Sequence, residues 1–296
     1  MITRLVAAAA VLLFTLTGAF AQDGPRAFHL VPEDTRIFSL TTTLLSTETP
    51  LGEFNVGVLT PAYRQTFDFF GNVGAILIGM PVGSMSASLG GGMELETDIA
   101  HGDLFIGGLV GLVGSPSLSP MEYAQHKPGF RAGVAAKLFL PTGEYESSEM
   151  LNLGTNRWSL HAALPISYVL GDTMLDPDLT TFELVPVVEI YGDNEEPFGG
   201  PSVTGQAPIW GLQGHVTRNF GPSVWASVDA YYAAVGETSI NGVDQDNAYD
   251  KVTLGATLGL VLSQSLSLRL SYEEQVYSSA TDTSARGFKA SGSYRF

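Results

Sequence analysis

The chain has 296 residues, a formal net charge of -16 and no cysteine. The acidic balance excludes binding to nucleic acid or anionic lipid through a basic surface, because both interactions require clusters of lysine and arginine. The absence of cysteine excludes disulfides, thiolate catalysis, cysteine-ligated zinc and the acylated cysteine of a lipoprotein.

Residues 1–21 have the pattern of a secretory signal peptide. Arg4 precedes an apolar run from Leu5 to Phe20, and an A-x-A cleavage site ends at Ala21. The alternative is a membrane anchor, but the run is shorter than the roughly 20 apolar residues that a spanning helix needs. We therefore expect cleavage before Gln22 and export, with residues 22–35 as a short periplasmic N-terminal segment.

The mature chain alternates between apolar and polar residues with a period of two, which is typical of β-strands. In the first half, strands are predicted near Arg36–Leu45, Phe54–Gln65, Asn72–Met80 and Asp103–Val113. In the second half, they are predicted near 130–140, 158–168, 182–190, 210–217, 224–232, 251–262, 266–273 and 287–296. The mature chain has no run of ~18 apolar residues, so no spanning helix is predicted.

The predicted connections alternate in length. Tight turns are expected at 67–72, 219–223 and 262–265. Long, polar loops are expected at 83–102, 141–156, 192–208, 236–247 and 278–286. Gly114–Pro128 falls on the short side yet is long, and a small helix is predicted there near Pro120–Gln125. Short turns on one side and long loops on the other are typical of an outer-membrane barrel.

These patterns predict an all-β fold, a transmembrane antiparallel up-and-down β-barrel of about twelve strands over residues 36–296. Lipid offers no hydrogen-bond partners, so the sheet must close. The alternative is a soluble β-sandwich or lipocalin-like barrel with its apolar residues inward. The signal peptide, the loop asymmetry and aromatic residues at strand ends favour the membrane barrel. These aromatic residues are Trp158, Tyr168, Phe182, Trp210, Tyr232, Tyr272 and Phe296.

Two prolines, Pro165 and Pro186, lie inside predicted strands. Proline cannot donate a ladder hydrogen bond, and a closed barrel has no edge strand on which this would be harmless. Bulges are therefore predicted at both positions.

Charged residues of both signs are predicted to face the lumen. One interpretation is a polar passage that orients a solute. The alternative, which we favour, is an interior salt-bridge network that braces a narrow barrel, because confined charges need partners. The lumen candidates are Arg131, Lys137, Glu183, Glu189, Asp229, Arg269, Glu273, Lys289 and Arg295.

The strand histidines, His161 and His215, are predicted to face the lumen on strands separated by another strand, roughly 9–10 Å apart. This spacing favours hydrogen-bonding roles over a metal site. The sequence has no H-E-x-x-H motif and no G-x-S-x-G in a strand-to-helix context. We therefore expect no catalytic residue, no metal and no cofactor, and we do not expect an enzyme.

The predicted long loops are acidic. One hypothesis is that they bind divalent cations at the lipopolysaccharide surface, in which case calcium would protect them from proteolysis. The favoured alternative is solvated loops that aid solubility. The acidic residues are Glu94, Glu96, Asp98, Glu144, Glu146, Glu149, Asp193, Glu195, Glu196, Asp244 and Asp246.

Several stretches of the mature chain resemble the outer-membrane family named for the meta-pathway of phenol degradation. They are YRQTFDFFGNVGAIL (Tyr63–Leu77), LPTGEY (Leu140–Tyr145), LNLGTNRWSLHAALPISYVLG (Leu151–Gly171), YGDNEEPFGG (Tyr191–Gly200), LQGHVTRNF (Leu212–Phe220) and WASVDAYYAAVGET (Trp225–Thr238). The resemblance implies a barrel in outer-membrane lipid of a Gram-negative bacterium that assists passage of small, hydrophobic or aromatic solutes. The alternative is a non-transporting structural or interaction barrel with a plugged lumen. The resemblance identifies no functional residues.

The C-terminal stretch GFKASGSYRF alternates residues predicted to face lipid with Lys289 and Arg295, and it ends on Phe296. Closure is predicted to pair this strand with the first one, near Arg36–Leu45. A terminal aromatic residue after such alternation resembles the signal that the outer-membrane assembly machinery reads. Tyr294 and Phe296 are therefore the predicted assembly signal.

Deletion of Phe296 is expected to impair assembly in cells, because it removes the last residue of that signal. The measurement is the amount of heat-modifiable, folded protein in the outer-membrane fraction. Wild-type amounts of folded protein after the deletion would contradict the assignment.

Overall fold

A computed structural model describes residues 23–296, so the predicted signal peptide lies outside the described residues. The helix is α1 (Pro120–Gln125). The strands are β1 (Arg36–Thr49), β2 (Gly52–Phe69), β3 (Asn72–Gly79), β4 (Val82–Leu89), β5 (Met93–Glu96), β6 (Ala100–His101), β7 (Phe105–Val113), β8 (Phe130–Phe139), β9 (Ser159–Ala163), β10 (Ile166–Leu170), β11 (Thr180–Tyr191), β12 (Thr204–Gln206), β13 (Ile209–Asn219), β14 (Val224–Val235), β15 (Thr238–Ile240), β16 (Val243–Asp244), β17 (Tyr249–Val261), β18 (Leu266–Ser278) and β19 (Ser284–Arg295).

The strands form a closed antiparallel barrel, because β1 pairs with both β2 and β19. The wall has 12 strand positions, which confirms the predicted fold. β3 and β4 share one position, β5, β6 and β7 share the next, and β9 and β10 share another. β12, β15 and β16 form a separate small sheet in the loops. The Phe296 N–H donates to the Arg36 carbonyl at 3.1 Å, so the predicted pairing of the last strand with the first is confirmed.

The connections differ between the two ends of the barrel. The end that carries Arg36 and Phe296 is called the turn end here, and the opposite end is called the loop end. The turn end has tight connections at 70–71, 220–223 and 262–265. The loop end has long connections at 140–158, 192–208 and 236–248. The predicted asymmetry is therefore present, although the loop end also contains a tight turn at Pro50–Leu51 between β1 and β2.

The predicted small helix is confirmed as α1, which lies in the long connection at the turn end. The Ser119 side chain accepts a hydrogen bond from the Glu122 N–H, and the Glu122 carboxylate accepts one from the Ser119 N–H. This capping box satisfies backbone donors that the first turn leaves free. No helix within residues 23–296 is long and apolar enough to cross a membrane.

The prediction of a long loop at 83–102 is wrong. β4 continues the wall along β2, with Met85 opposite Val56 and Ala87 opposite Phe54, and β5 returns beside it as a hairpin. These four side chains are buried inside the barrel, whereas the outward positions of β4 are serines. In this part of the wall the apolar residues therefore face inward, whereas in the lipid-facing strands they face outward. Above the hydrocarbon layer the outer surface of the barrel meets water, so the apolar side chains pack in the interior.

The predicted bulges at Pro165 and Pro186 are wrong. The pairing of β11 with β9, β10 and β13 keeps one register past both prolines. The Pro165 carbonyl accepts from the Gly133 N–H, and the Pro186 carbonyl accepts from the Leu164 N–H. Each proline lacks a donor but keeps its acceptor, and that single loss leaves the register intact. The register shifts occur instead at Gly111/Val113 and Val252/Thr253.

The aromatic residues predicted at strand ends are exposed on the outer surface of the barrel. Tyr168 pairs with Phe182 near the turn end, and Phe296 lies at that end too. Trp210 and Trp158 lie near the loop end. Aromatic rings at two levels are typical of the girdles that a barrel places at the two membrane interfaces.

Gly259 of β17 leaves room for an indole ring inside the barrel. A Cβ at this position would lie 1.9 Å from a ring carbon of Trp225. Gly259→Ala is therefore expected to displace Trp225 and lower the unfolding temperature, since overpacking costs about 1–3 kcal/mol. The measurement is the temperature at which heat-modifiability is lost. Gly214→Ala is the control, because its nearest contact would be 4.0 Å away; equal effects of the two substitutions would contradict the prediction.

Candidate functional site in the barrel lumen

Residues 23–35, called the plug segment here, lie inside the barrel at the turn end. Pro25 and Leu30 are almost fully buried, and Leu30 packs with Val73 and Met174. Tyr123 of α1 also packs against this cluster. The sequence predicts a short periplasmic segment here, whereas the structure packs the segment against the inward faces of the strands. The plug segment therefore occupies part of the lumen.

The first anchor of the plug segment is Asp23. Its carboxylate lies 2.9 Å from Lys137 Nζ and 3.2 Å from His161 Nε2. Lys137 is paired in register with His161, and His161 with Glu189, so these three side chains point into the lumen from adjacent strands. Burial raises the pKa of the Asp23 carboxyl, but Lys137 and His161 outweigh burial and hold this pKa well below its usual range. The anchor is therefore present at neutral pH and is lost as the pH falls through that depressed value.

The second anchor is Arg26. Its backbone N–H donates to the Glu183 carboxylate at 2.9 Å. Its guanidinium donates to Thr217 at 2.9 Å and to Asn219 at 2.8 Å, and it stacks 4.4 Å above the Trp225 ring. Hydrogen bonds that involve a charged group and cation–π contacts gain strength where water is excluded.

Three arginines of the wall hold the backbone of the plug segment. Arg269 donates to the Pro25 carbonyl at 3.2 Å, Arg64 to the Ala27 carbonyl at 3.1 Å, and Arg131 to the Phe28 carbonyl at 2.9 Å. The carbonyls of a segment without regular structure need such donors when they are buried. Arg131 and Arg269 were predicted lumen residues, whereas the sequence analysis passed over Arg64, which lies on the inward parity of β2.

A second row of charged residues lines the lumen. The register places Arg131, Glu183, His215, Asp229 and Glu273 along one line of paired positions, with Ser167 between the first two and Gly255 between the last two. His215 Nδ1 lies 2.7 Å from the Asp229 carboxylate. The Glu273 carboxylate accepts hydrogen bonds from Lys289 Nζ at 3.1 and 3.3 Å. His161 and His215 thus both contact carboxylates in the lumen. Of the lumen candidates, Arg295 alone is exposed, at the turn end.

Two cavities remain in the lumen, an outer one toward the loop end and an inner one beside the plug segment. The outer cavity, of about 510 Å³, is lined by residues that include Gln213, Tyr231, Tyr249, Lys251 and Glu273. The inner cavity, of about 650 Å³, is lined by the plug segment and by residues that include Arg64, Leu77, Trp225, Arg269 and Arg295. Along β19 the outer cavity reaches Gly287 and the inner cavity begins at Ser291, so Lys289 lies between the two. The Lys289–Glu273 ion pair therefore stands at the division of the open space.

The interior is apolar at the loop end of β2 and β4. Phe54, Val56 and Met85 are buried there with Leu151 and Leu153 from the connection 140–158. This surface was not predicted, because apolar residues were expected to face lipid. The alternation of these apolar residues with polar residues at the outward positions is nevertheless visible in the sequence.

The connection 140–158 is held inward by Asp103. The Asp103 carboxylate accepts hydrogen bonds from the Gly143 N–H at 2.8 Å, from the Thr155 N–H at 3.1 Å and from the Thr155 hydroxyl at 2.6 Å. Gly143 and Gly154 are in backbone contact, and a Cβ on Gly154 would lie 2.5 Å from a backbone carbon of Gly143. These residues belong to the stretches LPTGEY and LNLGTNRW, whose role is thus to fold the connection over the apolar interior.

Within the described part of the chain, no three His, Asp or Glu side chains are grouped so that they could hold a metal ion. The acidic residues of the loop end instead include hydrogen-bond partners, as in the 2.6 Å bond from Ser88 to Glu94. Binding of divalent cations at the loop surface stays a prediction.

Known proteins resemble this chain in sequence and in fold. A family model described as "Putative MetA-pathway of phenol degradation" matches residues 42–296. Among curated proteins, none matches the sequence. The fold is similar to that of an outer membrane channel from Pseudomonas putida F1, with a TM-score of 0.78 and 17% identity over 93% of this chain and 100% of that chain.

Two autotransporter domains share the barrel fold more distantly. The transport unit of AIDA-I from Escherichia coli has a TM-score of 0.53 and 11% identity over 98% of this chain and 98% of that one. The translocator domain of NalP from Neisseria meningitidis has a TM-score of 0.52 and 9% identity over 99% of each chain. At these identities the similarities concern the fold.

Loss of both plug anchors is expected to raise the conductance of the barrel in planar bilayers. The variant is Asp23→Asn with Arg26→Gln, which removes charge-assisted contacts worth about 1.5–3 kcal/mol each. Asp34→Asn is the matched control, because Asp34 belongs to the same segment but is exposed. Conductance of the double variant equal to that of the control would show that these contacts do not hold the plug segment.

Proposed function

We propose that this protein, which belongs to the MetA-pathway phenol-degradation family, is an outer-membrane channel that admits small solutes with an apolar or aromatic body. The observation that carries the proposal is the pair of cavities in the lumen. Each has room for a single-ring solute, and along β19 the layer of Lys289 and Glu273 lies between them. A solute that passes this layer moves from the loop end to the turn end.

The residues that line the outer cavity support a solute with an apolar body. The outer cavity meets Tyr231 and Tyr249, and Leu45 at its edge belongs to the buried apolar cluster around Val56. Ligand sites of this kind combine apolar and aromatic walls with a few polar groups that orient the ligand. The similarity to the channel from Pseudomonas putida F1 is consistent with this reading of the fold.

The same cavities favour the channel over a barrel whose lumen serves only as a packed core. Protein cores are close-packed, with few voids larger than a water molecule. The plug segment and the ion pairs fill part of this lumen, while residues of β17, β18, β19 and β1 line both cavities. The interior is therefore braced by its contacts and still keeps open space.

The proposal includes the orientation and the cellular location. The turn end faces the periplasm and the loop end faces the medium, as expected for a barrel with short periplasmic turns. A cleaved signal peptide over residues 1–21 delivers the chain, and outer-membrane lipid, lipopolysaccharide and the assembly machinery are its partners.

Filling the outer cavity is expected to block solute uptake. Gly287 of β19 lines this cavity. A Cβ at this position would lie 3.8 Å from its nearest neighbours, the Leu44 carbonyl oxygen and a Leu45 methyl carbon, so Gly287→Trp places an indole in the passage. Gly292→Trp on the same strand is the matched control, because Gly292 lies on the lipid-facing parity. The measurement is uptake of radiolabelled benzyl alcohol and toluene by proteoliposomes.

The channel proposal requires wild-type protein and Gly292→Trp to accelerate uptake, and Gly287→Trp to return it to the level of protein-free vesicles. Uptake at that level for the folded wild-type protein would overturn the proposal. Equal uptake through Gly287→Trp and the control would place the passage elsewhere in the barrel.

A further inference from the structure

The inner cavity carries a positive charge that contrasts with the rest of the chain. The whole sequence has a net charge of -16 and 14 lysines and arginines. The inner cavity is lined by Arg26, Arg64, Lys137, Arg269 and Arg295. Among the described residues that line it, Asp23 is the acidic one, and Lys137 and His161 already contact it. The inner cavity is therefore lined by positively charged side chains, although the protein as a whole is acidic.

Among the described residues, Lys137 forms an ion pair with Asp23, and the other four of these cations form none. The Arg26 guanidinium is instead held by Thr217, Asn219 and the Trp225 ring. The positive charges of Arg295 and Arg269 act on Arg64 and oppose its own charge. The carboxylates of Asp23, Asp229 and Glu273 act on Arg269 at longer range. Arg64 and Arg295 line the same cavity without an ion-pair partner among residues 23–296. Like charges that line one cavity favour an anion between them.

The register places Arg64 and Arg295 on either side of an apolar residue. Ile37 of β1 is opposite Arg295 on one side and opposite Arg64 on the other. Leu77 is opposite Arg64 on β3, and Trp225 lies across the inner cavity. Guanidinium groups bind carboxylates through paired N–H donors, and Arg64 uses one nitrogen on the Ala27 carbonyl. A carboxylate at Arg64 and Arg295 would thus carry its hydrophobic part against Ile37 and Leu77.

We propose that the inner cavity is a binding site for aromatic carboxylates, held by Arg64 and Arg295 with Arg269 behind them. The inference deepens the proposed function, because it adds a carboxylate to the apolar solute that the channel admits. Lys251 lines the outer cavity and suits the carboxylate of the same solute. Its ammonium has no ion-pair partner among the described residues, and Glu189 and Glu273 act on it at longer range. An anion that leaves the outer cavity therefore meets further cations inward.

The first experiment compares three ligands on the folded full-length mature protein in a non-ionic detergent at low ionic strength. Isothermal titration calorimetry measures benzoate, acetate, which lacks the ring, and benzyl alcohol, which lacks the charge. Benzoate is expected to bind at least about tenfold more tightly than either, which corresponds to about 1.4 kcal/mol. Benzoate no tighter than acetate would reduce the site to one for any small anion, and benzoate no tighter than benzyl alcohol would remove the role of charge. Either result overturns the proposal.

The second experiment tests the arginines. Arg295→Gln is expected to weaken benzoate binding about tenfold and leave benzyl alcohol unchanged. Arg295→Lys keeps the charge but loses the paired N–H donors, so its benzoate affinity is expected to lie between those of the wild type and Arg295→Gln. The structure gives the Arg295 side chain no hydrogen bond to the plug segment, so this variant leaves the plug anchors in place. Arg218→Gln is the matched control, because Arg218 is exposed and pairs with Asp178 outside the inner cavity. Equal benzoate affinity of Arg295→Gln and Arg218→Gln would refute the assignment.

Failure of this proposal and failure of the channel proposal give different results. Loss of benzoate binding with normal uptake of benzyl alcohol would leave the channel in place without an anion site. Benzoate binding that depends on Arg295, in a protein that accelerates no uptake, would leave the site in place without a channel.

Discussion

The closure of the sheet is the constraint on which the rest of this structure depends. A strand in lipid has no water to satisfy its backbone, so β1 must pair with β19 as well as with β2. The hydrogen bond from Phe296 to Arg36 completes this seam at the turn end. Once the sheet is closed, every second side chain of a strand points into the lumen. The charged residues on this inward parity therefore lie close to one another inside the barrel.

That confinement explains the arrangement of the interior. Most inward charges are neutralised locally, as in the contacts of Asp23 with Lys137 and His161 and the pair of Glu273 and Lys289. An isolated charge in such a space would bear an uncompensated desolvation cost. The plug segment supplies part of this neutralisation, since its carbonyls and Asp23 accept from wall residues. The arginines around the inner cavity depart from this rule, and for that reason they point to a ligand.

The period of two and the turn residues were enough to predict the strands of the second half, the small helix at Pro120–Gln125 and the barrel itself. The same reasoning failed at β4, because there the apolar parity faces inward and packs against Leu151 and Leu153. It failed also at Pro165 and Pro186, where bulges were expected and the strands lose only single hydrogen bonds. Parity predicts which residues share a face, but it does not say which medium lies on that face.

The sequence by itself determined the class of fold, the closure and most of the charged residues that share the inward face, because these follow from local alternation and from the need to satisfy the backbone in lipid. The tertiary structure alone decided which of those residues meet. Lys137, His161 and Glu189 lie far apart in the chain and become neighbours through strand register. The position of the plug segment likewise depends on contacts with distant strands, and so do the two cavities of the lumen. Register and long-range packing are collective properties of the closed barrel, and no short stretch of sequence encodes them.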